Sequence, residues 1–133
     1  MFDFFKKKEE SFDELDKNIK DISVYLVDDD PDIITFLKRH IEKRWGFAVS
    51  TFKSVQEVTD EINSTKVLPN LVISDVRMPD KSGLSLHFAL KDTPIIFITA
   101  LGGDDIEDSE YTIIGKPISK NHLDELIVEK LQL

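Results

Sequence analysis

Leu71-Val72-Ile73-Ser74-Asp75-Val76-Arg77-Met78-Pro79 is the stretch on which the fold turns. Its apolar beginning reads as a buried strand, and Asp75 puts a carboxylate at the end of it. Open parallel sheets keep their chemistry at the carboxyl ends of strands. Two distant stretches repeat the arrangement: Asp28-Asp29-Asp30 follows Val24-Tyr25-Leu26-Val27, and Lys116-Pro117 follows Thr112-Ile113-Ile114. Three charged groups thus stand just past three expected strands.

Working outward, Ser23 to Val27 reads as the first strand. Asp30 then serves as an N-cap, Pro31 takes the first helical position, and Ile33, Ile34, Leu37 and Ile41 share one face of a helix ending near Trp45-Gly46. Phe47 to Phe52 reads as the second strand. Ser54-Val55-Gln56-Glu57 is a capping box for a helix with Val55, Val58 and Ile62 as its stripe, stopped by Leu68-Pro69-Asn70. After the third strand, Leu71 to Ser74, a helix starts near Gly83-Leu84. Strand four is Ile95 to Thr99, strand five is about Tyr111 to Ile114, and a final helix carries Leu123, Leu126, Ile127 and Leu131. Strands alternating with helices, and apolar throughout rather than in alternation, predict an α/β, doubly wound parallel sheet covered on both faces.

Leu101 to Glu110 breaks the pattern. Gly102-Gly103 is followed by five acidic residues with Ile106 as the only apolar one, so the fourth crossover is expected to be a shortened, degenerate helix or a loop. At the other end, Ser11-Phe12-Asp13-Glu14 is a capping box for a short helix over residues 11–20. Residues 1–21 therefore read as a tail with a short helix, and residues 22–133 as the domain. Phe2, Phe4 and Phe5 before Lys6-Lys7-Lys8 suit a loose tail better than an interfacial anchor, since no long amphipathic helix follows.

The 133 residues, 41% of them hydrophobic, suffice for one domain with a core. A net charge of -9, with the Lys and Arg residues scattered, opposes binding to nucleic acid or an anionic membrane. The absence of Cys excludes disulfides, thiolate metal sites and Cys nucleophiles. No apolar stretch approaches the roughly 20 residues of a membrane span, and there is no signal-peptide pattern, so a cytoplasmic location is expected.

If the first and third strands pair, Asp28, Asp29 and Asp75 share one pocket. At ~4 Å each carboxylate pair repels by about 4 kcal/mol at an effective dielectric near 20. A hard divalent cation relieves this, and Mg²⁺ suits oxygen ligands while keeping waters that a phosphoryl oxygen can replace. A carboxylate beside Mg²⁺ can attack phosphorus to form an acyl phosphate. Lys116 can contact the phosphoryl group, Thr99 can donate its hydroxyl to it, and small Ala100 leaves room.

With these residues in place, the chain from about residue 22 to 133 resembles the receiver domain of two-component response regulators, a flavodoxin-like fold with strand order 2-1-3-4-5. The resemblance implies that Asp75 is the phosphoacceptor, Asp29 a direct Mg²⁺ ligand, Asp28 a ligand mostly through water, and Arg77 a ligand through its backbone carbonyl. It makes Thr99 and Lys116 the switch hydroxyl and the lysine of that family. Met78-Pro79 and Ser82-Gly83 match the loop after the phosphoacceptor, and the family usually holds the Lys-Pro peptide cis. The implied function is a single-domain regulator that takes a phosphoryl group from a histidine kinase or phosphotransfer protein and signals to a downstream protein, without turnover of a separate substrate.

Two departures stand out. Where many relatives carry a Tyr or Phe three positions before the lysine, this chain has Ile113, with Tyr111 the nearest aromatic. Thr99 and Lys116 are 17 positions apart, shorter than the family's usual span by about a helical turn. These departures motivate an alternative, a pseudo-receiver that binds partners without phosphorylation. A third reading, a haloacid dehalogenase type of phosphohydrolase, needs a second Asp two positions after the first, where this chain has Arg77. Of the remaining polar residues, Asp30 reads as a helix cap. His40, His87 and His122 read as dispersed surface or partly packed histidines, and Asp104 to Glu110 as a solvated loop rather than a calcium loop.

Overall fold

The computed structural model describes residues 21–100 and 111–133. The expected helix over residues 11–20 and the expected degeneracy of the fourth crossover, residues 101–110, lie outside the described residues. Within them the chain runs β1 (Ser23–Val27), α1 (Pro31–Trp45), β2 (Ala48–Phe52), α2 (Val55–Thr65), β3 (Leu71–Asp75), α3 (Ser85–Ala89), β4 (Ile95–Thr99), β5 (Thr112–Gly115) and α4 (Lys120–Leu131). The strands form one sheet in the order β2-β1-β3-β4-β5, all parallel.

Strand alternation divides the core in two. Val24, Leu26, Leu71, Ile73, Ile96, Ile98 and Ile114 pack with Leu37 and Ile41 of α1 and Leu123 and Ile127 of α4. On the other face Tyr25, Val27, Val72 and Phe97 pack with Val55 and Val58 of α2 and with Leu86 and Leu90 around α3. Asn70 sets the register where β3 begins. Its side chain accepts from Ser23 N at 2.8 Å and its own N–H donates to Ser23 O at 2.8 Å. Val24 consequently pairs with Leu71 and Val27 with Ser74.

The starts of α1, α2 and α4 each carry a side-chain cap. Asp30 accepts from Asp32 N at 2.9 Å, Pro31 opens α1, and Gly46 closes it at φ 74, a left-handed conformation that glycine adopts without strain. Ser54 caps α2 by accepting from Glu57 N at 3.1 Å, and Ser119 caps α4 by accepting from His122 N at 3.3 Å. α3 has only five residues and no side-chain cap. Its first three residues donate through bonds of shorter reach, Ser85 N to Ser82 O at 3.0 Å, Leu86 N to Gly83 O at 3.0 Å and His87 N to Leu84 O at 3.1 Å. The most abbreviated helix among the described residues is thus in the third crossover.

Candidate functional site

Val27 with Ser74 is the last registered pair of β1 and β3, so the next residues, Asp28 and Asp75, stand side by side at the carboxyl ends of the two strands. Carboxylate oxygens of Asp28, Asp29 and Asp75 all lie within 4.8 Å of one another. Asp28 is 2% exposed and Asp75 8%, while Asp29 faces solvent. Lys116, just past β5, reaches across the strand ends: its Nζ lies 3.4 Å from Asp28 Oδ2 and 3.2 Å from Asp75 Oδ2. The remaining oxygens are held by backbone. Asp30 N donates to Asp28 Oδ1 at 2.9 Å and Arg77 N to Asp75 Oδ1 at 3.2 Å.

Burial pushes the Asp28 carboxyl up, and the charge of Asp75 adds to this. The Asp30 N–H and the Lys116 ammonium pull it down without cancelling the rise. Burial pulls the Lys116 ammonium down, but the charges of Asp28 and Asp75 and their hydrogen bonds outweigh it, so Lys116 titrates above the ordinary lysine value. One cation therefore balances two buried carboxylates incompletely. A partly buried, three-carboxylate oxygen cluster with one side open to water has the donor chemistry of a Mg²⁺ site.

Thr99 ends β4, one residue past the Asp75–Ile98 pair, and is 1% exposed. Its carbonyl accepts from Lys116 N at 2.8 Å, which ties the strand ends carrying Thr99 and Lys116 together. The Lys116-Pro117 peptide is cis, as the family pattern leads one to expect. Every residue read from the sequence as a site residue, Asp28, Asp29, Asp75, Arg77, Thr99 and Lys116, therefore belongs to one end of the sheet. Asp30 is the helix cap it was expected to be.

Gly83 is demanded by close approach. A Cβ there would stand 1.9 Å from Asp75 O and 2.9 Å from Ser74 Oγ, so no other residue fits without moving the loop. Ile113 stands opposite Phe97 in the sheet, and the Tyr111 ring packs edge-on against both Phe97, at 5.4 Å between centroids, and His87, at 5.1 Å. His40 is tied into the structure: its Nε2 lies 2.8 Å from Asp124 Oδ1, which also accepts from Trp45 Nε1 at 2.9 Å. The sequence reading passed over Asp80, whose carboxylate bonds the first two N–H groups of α2. Its only sequence signal is an acidic residue in the turn after Met78-Pro79.

The response regulator receiver domain family matches residues 24–128. The chain belongs to that family. This receiver is 34% identical over 110 residues to the C4-dicarboxylate transport transcriptional regulatory protein DctD of Rhizobium meliloti, covering 76% of this chain and 23% of that protein. It is 29% identical over 117 residues to the response regulator Rre1 of Synechocystis, covering 80% of this chain and 50% of Rre1. The chain thus spans half or less of these curated relatives. Among solved structures, a response regulator receiver protein from Burkholderia phymatum superposes with a TM-score of 0.72 at 28% identity, over 84% of this chain and 96% of the other. Among the described residues no helix is long and apolar enough to cross a membrane.

Proposed function

We propose that this receiver accepts a phosphoryl group on Asp75 from a histidine kinase or phosphotransfer protein, with Mg²⁺ held by Asp28, Asp29, Asp75 and the backbone of Arg77. The observation that carries this reading is the setting of Asp75: a buried carboxylate between the Lys116 ammonium and the Arg77 N–H, in a cluster of three carboxylates. A carboxylate oxygen of Asp75 attacks phosphorus, the bond from phosphorus to the donor nitrogen breaks, and the imidazole leaves with the electron pair. The product is an acyl phosphate on Asp75. Bound Mg²⁺ supplies positive charge to the pocket and to the phosphoryl oxygens.

Lys116, already bonded to Asp75, then pairs with the new phosphoryl charge, and Thr99 donates its hydroxyl to it. Two positions beyond Asp75 the chain has Arg77, so no carboxylate is placed there as a base for water. The acyl phosphate accordingly decays slowly, which suits a signal rather than turnover. The signal passes by protein contact to a downstream partner.

Intact mass after incubation with acetyl phosphate and Mg²⁺ tests the reading. A single adduct of about 80 Da, dependent on Mg²⁺ and absent from Asp75→Asn, is the expected result. A folded chain that stays unmodified with both acetyl phosphate and a phosphorylated histidine donor would overturn it.

A further inference from the structure

The loop after Asp75 is pinned at two places. At its root, Gly83 N donates to Val76 O at 2.7 Å, and Val76 N donates to Ile98 O at 3.0 Å. At its outer turn, Asp80 gives one oxygen to Val55 N at 3.2 Å and the other to Gln56 N at 2.9 Å. These are the first two N–H groups of α2, which have no partner within the helix. The third, Glu57 N, is taken by Ser54. α2 therefore has two caps, one local and one brought from 25 residues away along the chain.

The second cap closes a ring around the acidic pocket. Asp28 N donates to Phe52 O at 3.0 Å, Phe52 ends β2, and α2 begins three residues later. From α2 the Asp80 bonds return to the loop, and the loop leads through Arg77 N back to Asp75 Oδ1. Arg77 lies between the two pins. Partial desolvation pushes the Asp80 carboxyl up, but the N–H groups of Gln56, Lys81 and Val55 outweigh it, so Asp80 is ionised across the neutral range and complements the helix N-terminus.

We propose that Asp80 is a positioning residue: by bonding α2, it holds the Arg77 segment against Asp75 and so sets the geometry that the pocket presents to a divalent cation. This rests on the reading of the pocket as a cation site. Ser54 provides the matched comparison, because Ser54→Ala removes a cap from the same helix end without releasing the loop.

The test uses the full chain, isotopically labelled, as the natural sequence, Asp80→Ala and Ser54→Ala. In metal-free protein, hydrogen exchange of the Arg77 N–H is expected to speed up several-fold in Asp80→Ala and to stay near the natural rate in Ser54→Ala, both variants having lowered melting temperatures. In a Mg²⁺ titration followed by amide shifts, Asp80→Ala should bind roughly tenfold more weakly, the lower end of what outer-shell partners of a metal contribute. Unchanged Arg77 exchange in Asp80→Ala, or equal acceleration in Ser54→Ala, overturns the proposal. If the natural chain binds no Mg²⁺, the cation reading fails while Arg77 exchange still decides the role of Asp80. Should Asp80→Ala lose its fold, Asp80→Asn, which keeps an acceptor for one of the two N–H groups, is measured at the same amide: exchange faster than in the natural chain and in Ser54→Ala is expected, and an unchanged rate overturns the proposal.

Discussion

Along β1 and β3, Val24, Leu26, Leu71 and Ile73 are buried among the apolar residues of α1, α4 and the neighbouring strands. The next positions in the same two rows are Asp28 and Asp75, carboxylates that are nearly as buried. In the first region every side chain loses water and gains apolar contact. In the second, two like charges lose water and share one lysine. The two regions are a few ångströms apart on the same strands and contribute with opposite sign. The middle of the sheet supplies the stability that holds its own end in an electrostatically unfavourable arrangement, one that a bound cation would relieve.

Substitutions on either side of this boundary separate the two contributions. The largest effect is expected in the middle. Leu26→Ala, at a position with no exposure, should lower stability by about 2 to 5 kcal/mol in denaturant unfolding. A loss below about 1 kcal/mol would mean that the site collapses around the missing atoms and that the core is less closely packed than the contacts indicate.

Next comes the shared cation. Lys116→Met leaves Asp28 and Asp75 with their backbone donors and each other, and should cost about 1 to 3 kcal/mol at pH 7. The loss should shrink in acid, because Asp28 then takes up a proton more readily than with Lys116 in place. A pH-independent loss would place the contribution of Lys116 in its packing rather than its charge.

The smallest effect, and the only one of favourable sign, belongs to Asp28→Asn. The folded-state pKa of Asp28 is raised, by burial first and by Asp75 second, so the native protein binds that proton more tightly than the unfolded chain. Its ionisation therefore opposes folding at neutral pH, and the opposition fades as pH falls through the native pKa toward the unfolded value. Asp28→Asn should be slightly more stable than the natural chain at pH 7 in the absence of divalent ions, with the gap closing in acid. Excess Mg²⁺ should reverse the order by stabilising only the natural chain, by about 2.7 kcal/mol at a hundredfold excess over Kd. Thermal unfolding with and without Mg²⁺ across pH 4 to 8 reads out both signs, and a less stable Asp28→Asn in EDTA would contradict the charge account.

Much of this was legible in the order of residues. Asp30-Pro31, Ser54 and Gly46 mark helix ends through interactions within one turn, and the structure has the caps where the local pattern puts them. The apolar runs of β1, β3 and β4 predict burial on both faces, and all three are buried almost throughout. β2, at the sheet edge, is largely exposed, and its sequence Ala48-Val49-Ser50-Thr51-Phe52 carries no continuous apolar run. The site residues were legible because each stands at the last residue of a strand or within two positions past it. What escaped notice was the short reach of α3 and the role of Asp80. A helix start near Gly83-Leu84 does not reveal where the helix ends. An acidic residue in a turn looks solvated until the helix it caps is brought to it from 25 residues away.

The sequence by itself determined the element order, the caps and the three strand-end charges, because these depend on interactions between residues a few positions apart. Only the tertiary structure decided which of those charges meet. Pairing β1 with β3 puts Asp28 beside Asp75, β5 on the far side of β4 brings Lys116 to both, and the packing of α2 delivers two N–H groups to Asp80. A hydrogen bond or an ion pair acts over a few ångströms, and along the chain these partners are tens of residues apart, so only the folded sheet brings them within reach.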